Sequence, residues 1–377
     1  MEQNGLNLKE IKSRNISSVL YLLGTNGAMS RKDIATALGL TPAAVTKLCN
    51  QLINDGLIAE EGEDTSGSAR AGRRKIMLSL RLDDYYALCI NAELDKITVS
   101  VAGLDGRRYE SESFCDIKNV DKMLSISEKL FENTAKNKNR FLCTSICVIG
   151  SVEKSETGLW DNKYVINKLE EKIGLPVVID NNVRAFAVAE LIYGHRIYEE
   201  SVLFLKWGPG IGSAIAANGE LLSGSDAGIA EIGHYIINRN GRRCRCNRYG
   251  CLETEVSSMA ITEEFANRLS FDETIKSYDS DRDISNLIDH KIDLVSIALT
   301  NTATILNACK IILFGTVFEN KIIADKLSRQ CRRYNSNFNS DTIELSKLND
   351  KITFIGPAAL AAKHFFFERA ADNTCFT

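Results

Sequence analysis

Proline and tryptophan are scarce: four prolines and two tryptophans in 377 residues, beside 44% hydrophobic and 25% charged side chains. That balance excludes a low-complexity chain and fits a folded globular one. Long apolar runs are missing too. No stretch of about 18 uncharged apolar residues occurs, which excludes a membrane-spanning helix. The opening Met-Glu-Gln-Asn-Gly lacks the basic segment and apolar run of an export signal. A cytoplasmic protein without a membrane partner is expected. Neither sign of charge dominates, the net charge being −3. Cysteine, by contrast, is plentiful. Its eleven residues form an odd set without a paired framework, which argues against a disulfide scaffold. Cys89, Cys143, Cys147 and Cys309 lie in apolar runs and read as small core residues. A chain of this length exceeds one ordinary core, so two or three domains are expected.

The charge that exists is unevenly placed. Residues 1–82 carry eleven Lys and Arg against eight Asp and Glu, a local +3 that leaves −6 for the remainder. Ser66 to Arg81 holds five basic residues, Arg70, Arg73, Arg74, Lys75 and Arg81, and no acid. Alone, such a run is a solvated loop. Its upstream neighbour changes the reading, because the segment before it has the grammar of a helix-turn-helix. Ser30 caps a short helix, Arg31 to Leu38; Gly39 closes it, and Thr41-Pro42 opens the next. Val45, Leu48, Cys49, Leu52 and Ile53 recur at helical spacing and turn inward, leaving Ala43, Thr46, Lys47 and Asn50 outward. A small polar front suits insertion into a major groove about 12 Å wide. Leu57-Ile58 and Lys75 to Leu80 read as the strands of a wing whose tip arginines face a minor groove or phosphates. An earlier helix, Leu8 to Leu23, supplies the scaffold. The expected DNA contacts are Ser30, Arg31, Thr41, Pro42, Ala43, Thr46, Lys47, Asn50, Arg70, Arg73, Arg74 and Lys75. Helix pairs of this kind also serve as protein-interaction modules, and that alternative stays open on pattern alone.

Past residue 82 strands and helices alternate, which is α/β order. Tyr86 to Asn91, Ile97 to Leu104, Cys143 to Ile149 and Pro176 to Ile179 read as strands, Val120 to Lys136 and Tyr164 to Gly174 as helices. Asp180-Asn181-Asn182 then runs from a strand end into an Ala-rich helix, the place where open α/β sheets hold small ligands. Either Asn can equally be a helix cap. A second unit opens with Val202 to Trp207 and Gly208-Pro-Gly210-Ile-Gly212. These glycines suit a ligand-facing loop, but the spacing is neither a dinucleotide fingerprint nor a Walker A loop, and a hairpin turn is the favoured reading.

The densest local chemistry follows: Glu231-Ile-Gly-His234, then Cys244-Arg-Cys246 and Gly250-Cys251-Leu-Glu253. One imidazole and three thiolates make the ligand number of a closed tetrahedral zinc site, and soft sulfur with imidazole suits Zn2+. The Cys-x-Cys spacing is tighter than the usual knuckle, so three reduced thiols in a basic loop remain the bland alternative.

Together these residues resemble the ROK proteins (repressor, open reading frame, kinase). The resemblance rests on the winged helix-turn-helix, Gly-Leu-Pro-Val-Val-Ile-Asp-Asn-Asn at 174–182, Gly-Pro-Gly-Ile-Gly at 208–212, and above all the Glu-Ile-Gly-His and cysteine elements. It implies two actin-like, ribonuclease-H-like lobes with a sugar in the cleft. It also implies a zinc on His234, Cys244, Cys246 and Cys251, and sugar contacts from Asn181, Glu231, His234 and Glu253, with Asn182 beside them. The departures matter as much. Kinases of the family place a proton-accepting aspartate where Asn182 stands, and an amide cannot take that proton. Their phosphate-cradling Gly-Gly turn is replaced by Asn91-Ala-Glu93-Leu-Asp95, and the nucleotide-side glycines are reduced to Phe314-Gly315-Thr316. Gly150-Ser151 lacks the usual Pro-Gly turn, and Asn247 stands where a glycine is usual.

The expectation is therefore an α/β, two-lobed ROK domain behind a winged helix-turn-helix head, divided as 1–82, 83–200 and 201–377, with the C-terminal helix returning to the first lobe. The expected function is a sugar-responsive transcriptional regulator without kinase activity, a repressor of carbohydrate-utilisation genes akin to xylose and N-acetylglucosamine repressors. It would bind double-stranded operator DNA as a homodimer or dimer of dimers. The rivals are an ATP-dependent ROK sugar kinase with an accessory head, and a DNA-binding scaffold whose cleft has decayed.

Overall fold

The computed structural model describes residues 8–63, 75–134, 140–150, 152, 160–194, 201–222, 229–265 and 268–368. The head runs α1 (Leu8–Asn26), β1 (Met29–Ser30), α2 (Arg31–Leu38), α3 (Pro42–Asn54), β2 (Ile58–Glu63) and β3 (Ile76–Leu80), its strands ordered β1-β3-β2. Local chemistry sets the boundaries. The Ser30 hydroxyl accepts from the Asp33 amide to start α2, and Gly39, left-handed at φ 64, closes it by donating to the Ala35 and Thr36 carbonyls. Thr41 caps α3 with Pro42 in its first turn. Val45, Leu48, Cys49 and Leu52 are buried, as the spacing predicts, and Ile53 is half-buried against them.

Two five-stranded sheets follow. The first holds β4 (Tyr86–Ala92), β5 (Ile97–Gly103), β6 (Arg108–Phe114), β7 (Phe141–Val148) and β8 (Val177–Asn181) in the order β6-β5-β4-β7-β8. Its helices are α4 (Val120–Thr134), α5 (Asn162–Ile173) and α6 (Asn182–Tyr193). The second holds β9 (Ser201–Trp207), β10 (Ile211–Ala217), β11 (Glu220–Leu221), β12 (Lys310–Phe314) and β13 (Ile343–Leu345) in the order β11-β10-β9-β12-β13. Between β11 and β12 lie α7 (Leu252–Val256), α8 (Ser258–Glu264), α9 (Phe271–Lys276) and the long α10 (Arg282–Leu306); α11 (Lys321–Tyr334) joins β12 to β13, and α12 (Ile355–Ala361) comes last. Each sheet begins with an antiparallel meander and adds two strands in parallel, so the two units repeat one topology. β6 escapes the sequence reading because Arg-Tyr-Glu-Ser-Glu-Ser-Phe is an edge strand with little to bury.

Strand alternation divides the interior. In β9, Val202 and Phe204 face the core that contains α6 and α12, while Leu203, Leu205 and Trp207 face α10. In β4, Ala87 and Cys89 face α6 and α12, whereas Leu88 and Ile90 face α4 and α5. Helix α6 thus lies between the sheets, its Phe186 ring stacked on Phe314 of β12 at 3.9 Å between centroids. The segment Ala358 to Phe367 is core: α12 is buried throughout and continues as a π-helical turn, Ala362–Glu368. That turn meets the head, with Phe367 stacked on Tyr21 of α1 at 4.8 Å and Phe366 edge-on to Tyr85 at 5.5 Å. One apolar cluster therefore runs from Leu52 of α3 through Leu20 of α1 to Phe366 and on to Phe314. No helix among the described residues is long and apolar enough to cross a membrane.

Candidate functional site

The cysteine element folds into a compact knuckle after β11. His234 ends a short 3-10 turn, Ile232–His234, and the chain then doubles back so that Ile236 pairs with Cys251 and Arg243 with Tyr249. The Cys244 amide donates to the Arg248 carbonyl at 2.7 Å and the Asn247 amide to the Cys244 carbonyl at 2.9 Å. Asn247 sits at φ 67, a left-handed position that asparagine tolerates, so the glycine usual in this place is dispensable. Gly250, at φ 69, is not: a Cβ there would lie 1.6 Å from the Asn238 carbonyl oxygen.

The knuckle brings all four sequence-predicted ligands together. Their ligand atoms lie within 4.8 Å of one another, with His234 Nδ1 3.5 Å from Cys244 Sγ and Cys246 Sγ 3.6 Å from Cys251 Sγ. A tetrahedral zinc with sulfur and imidazole ligands has edges of about 3.5–3.8 Å, so the donor set fits a metal of that size. Burial pushes the Cys251 thiol up to about 12 and raises the Cys244 thiol; Cys246, despite its own burial, is held below its ordinary value by hydrogen bonding to the Arg248 backbone and the other thiols. Three crowded sulfurs resist ionising together unless a cation joins them.

Around the knuckle stand Glu231 and Glu253. Burial raises the Glu253 carboxyl; the Arg245 guanidinium, 3.1 Å away, opposes this, and the charge of Glu231 adds to it. Ala230, just before Glu231, has φ 68, local backbone strain beside the candidate site. The glycine-rich 208–212 segment is the β9–β10 hairpin, with Trp207 paired to Ile211 and the Gly208 amide donating to the Gly210 carbonyl at 2.9 Å. Its glycines serve close approach: a Cβ on Gly210 would meet Glu253 at 3.4 Å, and one on Gly212 would meet Val183 at 3.0 Å. The hairpin is thus flanked by Glu253 on one side and the start of α6 on the other.

At that start the cap reading holds for Asn181. Its Oδ1 accepts from the Val183 and Arg184 amides at 2.8 and 3.2 Å, and its Nδ2 donates to the Gly150 carbonyl at 2.9 Å. Capping α6 and bonding Gly150 take most of its hydrogen-bonding capacity, so a sugar contact from Asn181 would draw on what remains. Asn182 is buried, and its Nδ2 donates to Glu93 Oε1 at 3.0 Å. Sequence reasoning noted Glu93 only as a missing glycine and passed over Lys206. The structure joins them: Lys206 Nζ of β9 lies 2.7 and 2.6 Å from the two Glu93 oxygens, and Asn91 Nδ2 adds a contact at 3.3 Å. The available signal was Lys206 itself, a charge inside Val-Leu-Phe-Leu-Lys-Trp.

On the head, Pro42, Ala43, Thr46, Lys47 and Asn50 line one outward concavity with Gln51, Asn54 and Asp55. Ser30 is a correction: it is 3% exposed, and its hydroxyl donates to Asp33 Oδ2 while accepting from the Asp33 amide, so it caps α2 rather than facing DNA. Arg31 donates to Glu60 Oε1 at 2.9 Å and to Asn50 Oδ1 at 3.2 Å, and Lys75 pairs with Asp33 at 2.8 Å. The predicted wing-tip residues Arg70, Arg73 and Arg74 lie outside the described residues.

Compared with known families, residues 87–364 match the ROK family and residues 15–67 the MarR family. This chain belongs to the ROK family. The xylose repressor of Bacillus subtilis (strain 168) is 24% identical to this ROK chain over 375 residues, covering 94% of it and 96% of the repressor. Among solved structures, a ROK family transcriptional regulator, homolog of the Escherichia coli MLC protein, aligns with a TM-score of 0.76 at 23% identity over 95% of this chain and 97% of that one. A ROK family glucokinase from Streptomyces griseus in complex with glucose and AMPPNP aligns at 0.65 and 18% identity, over 74% of this chain and 99% of that one. At these identities the two structures establish the shared fold alone.

Proposed function

We propose that this ROK chain is a sugar-responsive DNA-binding transcriptional regulator, a repressor of carbohydrate-utilisation genes, which acts in the cytoplasm on double-stranded operator DNA. The observation that carries the reading is the head: a capped helix pair whose second helix turns Ala43, Thr46, Lys47 and Asn50 outward. The likeness to a xylose repressor along nearly the whole chain supports it. We divide the protein as 1–82, 83–200 and 201–377, and expect a homodimer, or a dimer of such dimers, presenting two heads to two half-sites. A sugar in the cleft beside Glu231, His234 and Glu253 would change operator affinity through its unequal affinity for two arrangements of the molecule.

Two features of the cleft weigh against phosphoryl transfer. Asn182 offers an amide where a proton acceptor is needed, and Glu93, tied to Lys206, fills the turn where glycines would let a phosphate approach. This supports a sensor without kinase activity over the rival sugar kinase. Zn2+ on His234, Cys244, Cys246 and Cys251 would have a structural task, holding the loop from Glu231 to His234 rigid.

The test is a gel shift with the DNA beside its own gene at several salt concentrations, with and without a sugar panel. Sequence-specific binding that a sugar alters is expected; no specific shift under any condition overturns the reading. Purified protein is expected to transfer no phosphate from ATP to any sugar of the panel and to contain about one zinc per chain, a content that Cys246→Ser lowers sharply.

A further inference from the structure

We infer that Asn50 of the recognition helix reads a hydrogen-bond-accepting base edge, guanine above all, because Arg31 and Glu60 hold its amide with only its donor group toward the DNA. The inference rests on the DNA-binding role proposed above and names the base that role selects.

A guanidinium only donates, so the Asn50 atom that faces Arg31 Nη2 at 3.2 Å must be the carbonyl Oδ1. The same Nη2 donates to Glu60 Oε1 of β2 at 2.9 Å, which anchors Arg31 from the wing side. Three elements, α2, α3 and β2, thus fix one side-chain amide. Its Nδ2 has no partner among the described residues. Adenine recognition by asparagine needs both halves of the amide, the oxygen accepting from N6 and the nitrogen donating to N7. With Oδ1 turned to Arg31, Nδ2 alone projects, and it matches an edge of acceptors such as guanine O6 and N7. It also repels the amino donor of cytosine.

The neighbours extend the pattern. Lys47, three residues back, is a pure donor with no partner among the described residues, so the Lys47–Asn50 pair offers donors alone. Thr46 spends its hydroxyl proton on the Pro42 carbonyl at 2.8 Å, which leaves its methyl, with that of Ala43, as the apolar part of the concavity's lining. Methyl groups suit contact with the thymine methyl. From Ala43 to Asn50 the helix rises about 10 Å, roughly three base-pair steps. A half-site with thymine under the start of α3 and guanine under Asn50, a few pairs apart, is the expected motif.

The experiment is selection of bound duplexes from a random library by the full-length protein at one salt concentration, for the wild type and for Asn50→Ala, Arg31→Met and Glu60→Gln. The wild type is expected to enrich a guanine at one position that Asn50→Ala leaves indifferent, with a preference there on the order of tenfold or more lost. Arg31→Met frees Oδ1 and should raise adenine at that same position, Glu60→Gln more weakly. A structural defect would blunt every position alike, not exchange one base for another. Adenine already preferred there by the wild type, no position altered by Asn50→Ala, or no gain of adenine in Arg31→Met overturns the inference. A wild type that enriches no sequence at all overturns the proposed function instead, which keeps the two failures apart.

Discussion

At the residue scale the decisive groups are those whose neighbours leave no substitute. Glu93 and Lys206 have side chains only 12% and 8% exposed and neutralise one another across the interlobe contact. Lys206→Met should therefore strand a buried carboxylate and destabilise the protein by about 3–5 kcal/mol, while the double variant with Glu93→Gln recovers much of that loss. Urea unfolding of the two singles and the double checks it; strictly additive losses would mean the pair is not coupled. Gly250→Ala combines φ 69 with a Cβ 1.6 Å from the Asn238 carbonyl oxygen. The expected result is a knuckle that cannot close, read as a fall in bound zinc comparable to that in Cys246→Ser. Retention of full zinc would show that the turn relaxes.

At the scale of elements, what was legible is what capping chemistry dictates. Ser30, Gly39, Thr41 and Pro42 announce α2 and α3 within a few residues, and the structure puts them at those boundaries. Asp33 strengthens this start. Its carboxyl is held below its ordinary value of 3.8, first by the hydrogen bond from Lys75 and then by that from Ser30. A depressed carboxylate stabilises the fold above its ordinary value, and the contribution disappears as pH falls through the lowered one. Asp33→Asn should thus lower stability by up to about 1 kcal/mol at pH 7, the pair being partly exposed, with the difference shrinking below pH 4. Thermal melts of both proteins across pH 3 to 7 test this; a difference that grows toward acid would refute it. β6 and the π-helical turn at Ala362–Glu368 were not legible, since an edge strand and a buried helix end carry weak periodic signals.

At the scale of the molecule, α6 connects the parts. It starts at the cleft with Asn182, stacks Phe186 on the second sheet and belongs to the same apolar cluster as α1 of the head. Phe367 is the other tie, filling the space that Gly24 leaves open in α1; a Cβ on that glycine would come within 3.1 Å of its ring. Phe367→Ala should cost about 3–5 kcal/mol and loosen the head first. Hydrogen exchange is the measurement: α1 amides are expected to lose protection before those of β4 and β7, and uniform loss would argue against the tie. A sugar that binds only the folded protein should raise its melting temperature with concentration.

The sequence by itself determined the features that depend on near neighbours: helix caps, the hairpin at Gly208–Gly210, the apolar and polar faces of α3, and the four candidate ligands gathered within the eighteen residues from His234 to Cys251. Those signals survive because backbone dihedrals and short loops are local properties. Only the tertiary structure decided which distant charges meet. Glu93 and Lys206 stand 113 residues apart, and Arg31 and Glu60 29, in chain order. Only packing two sheets around α6, and folding the wing beside α2, brings the members of each pair within hydrogen-bonding distance.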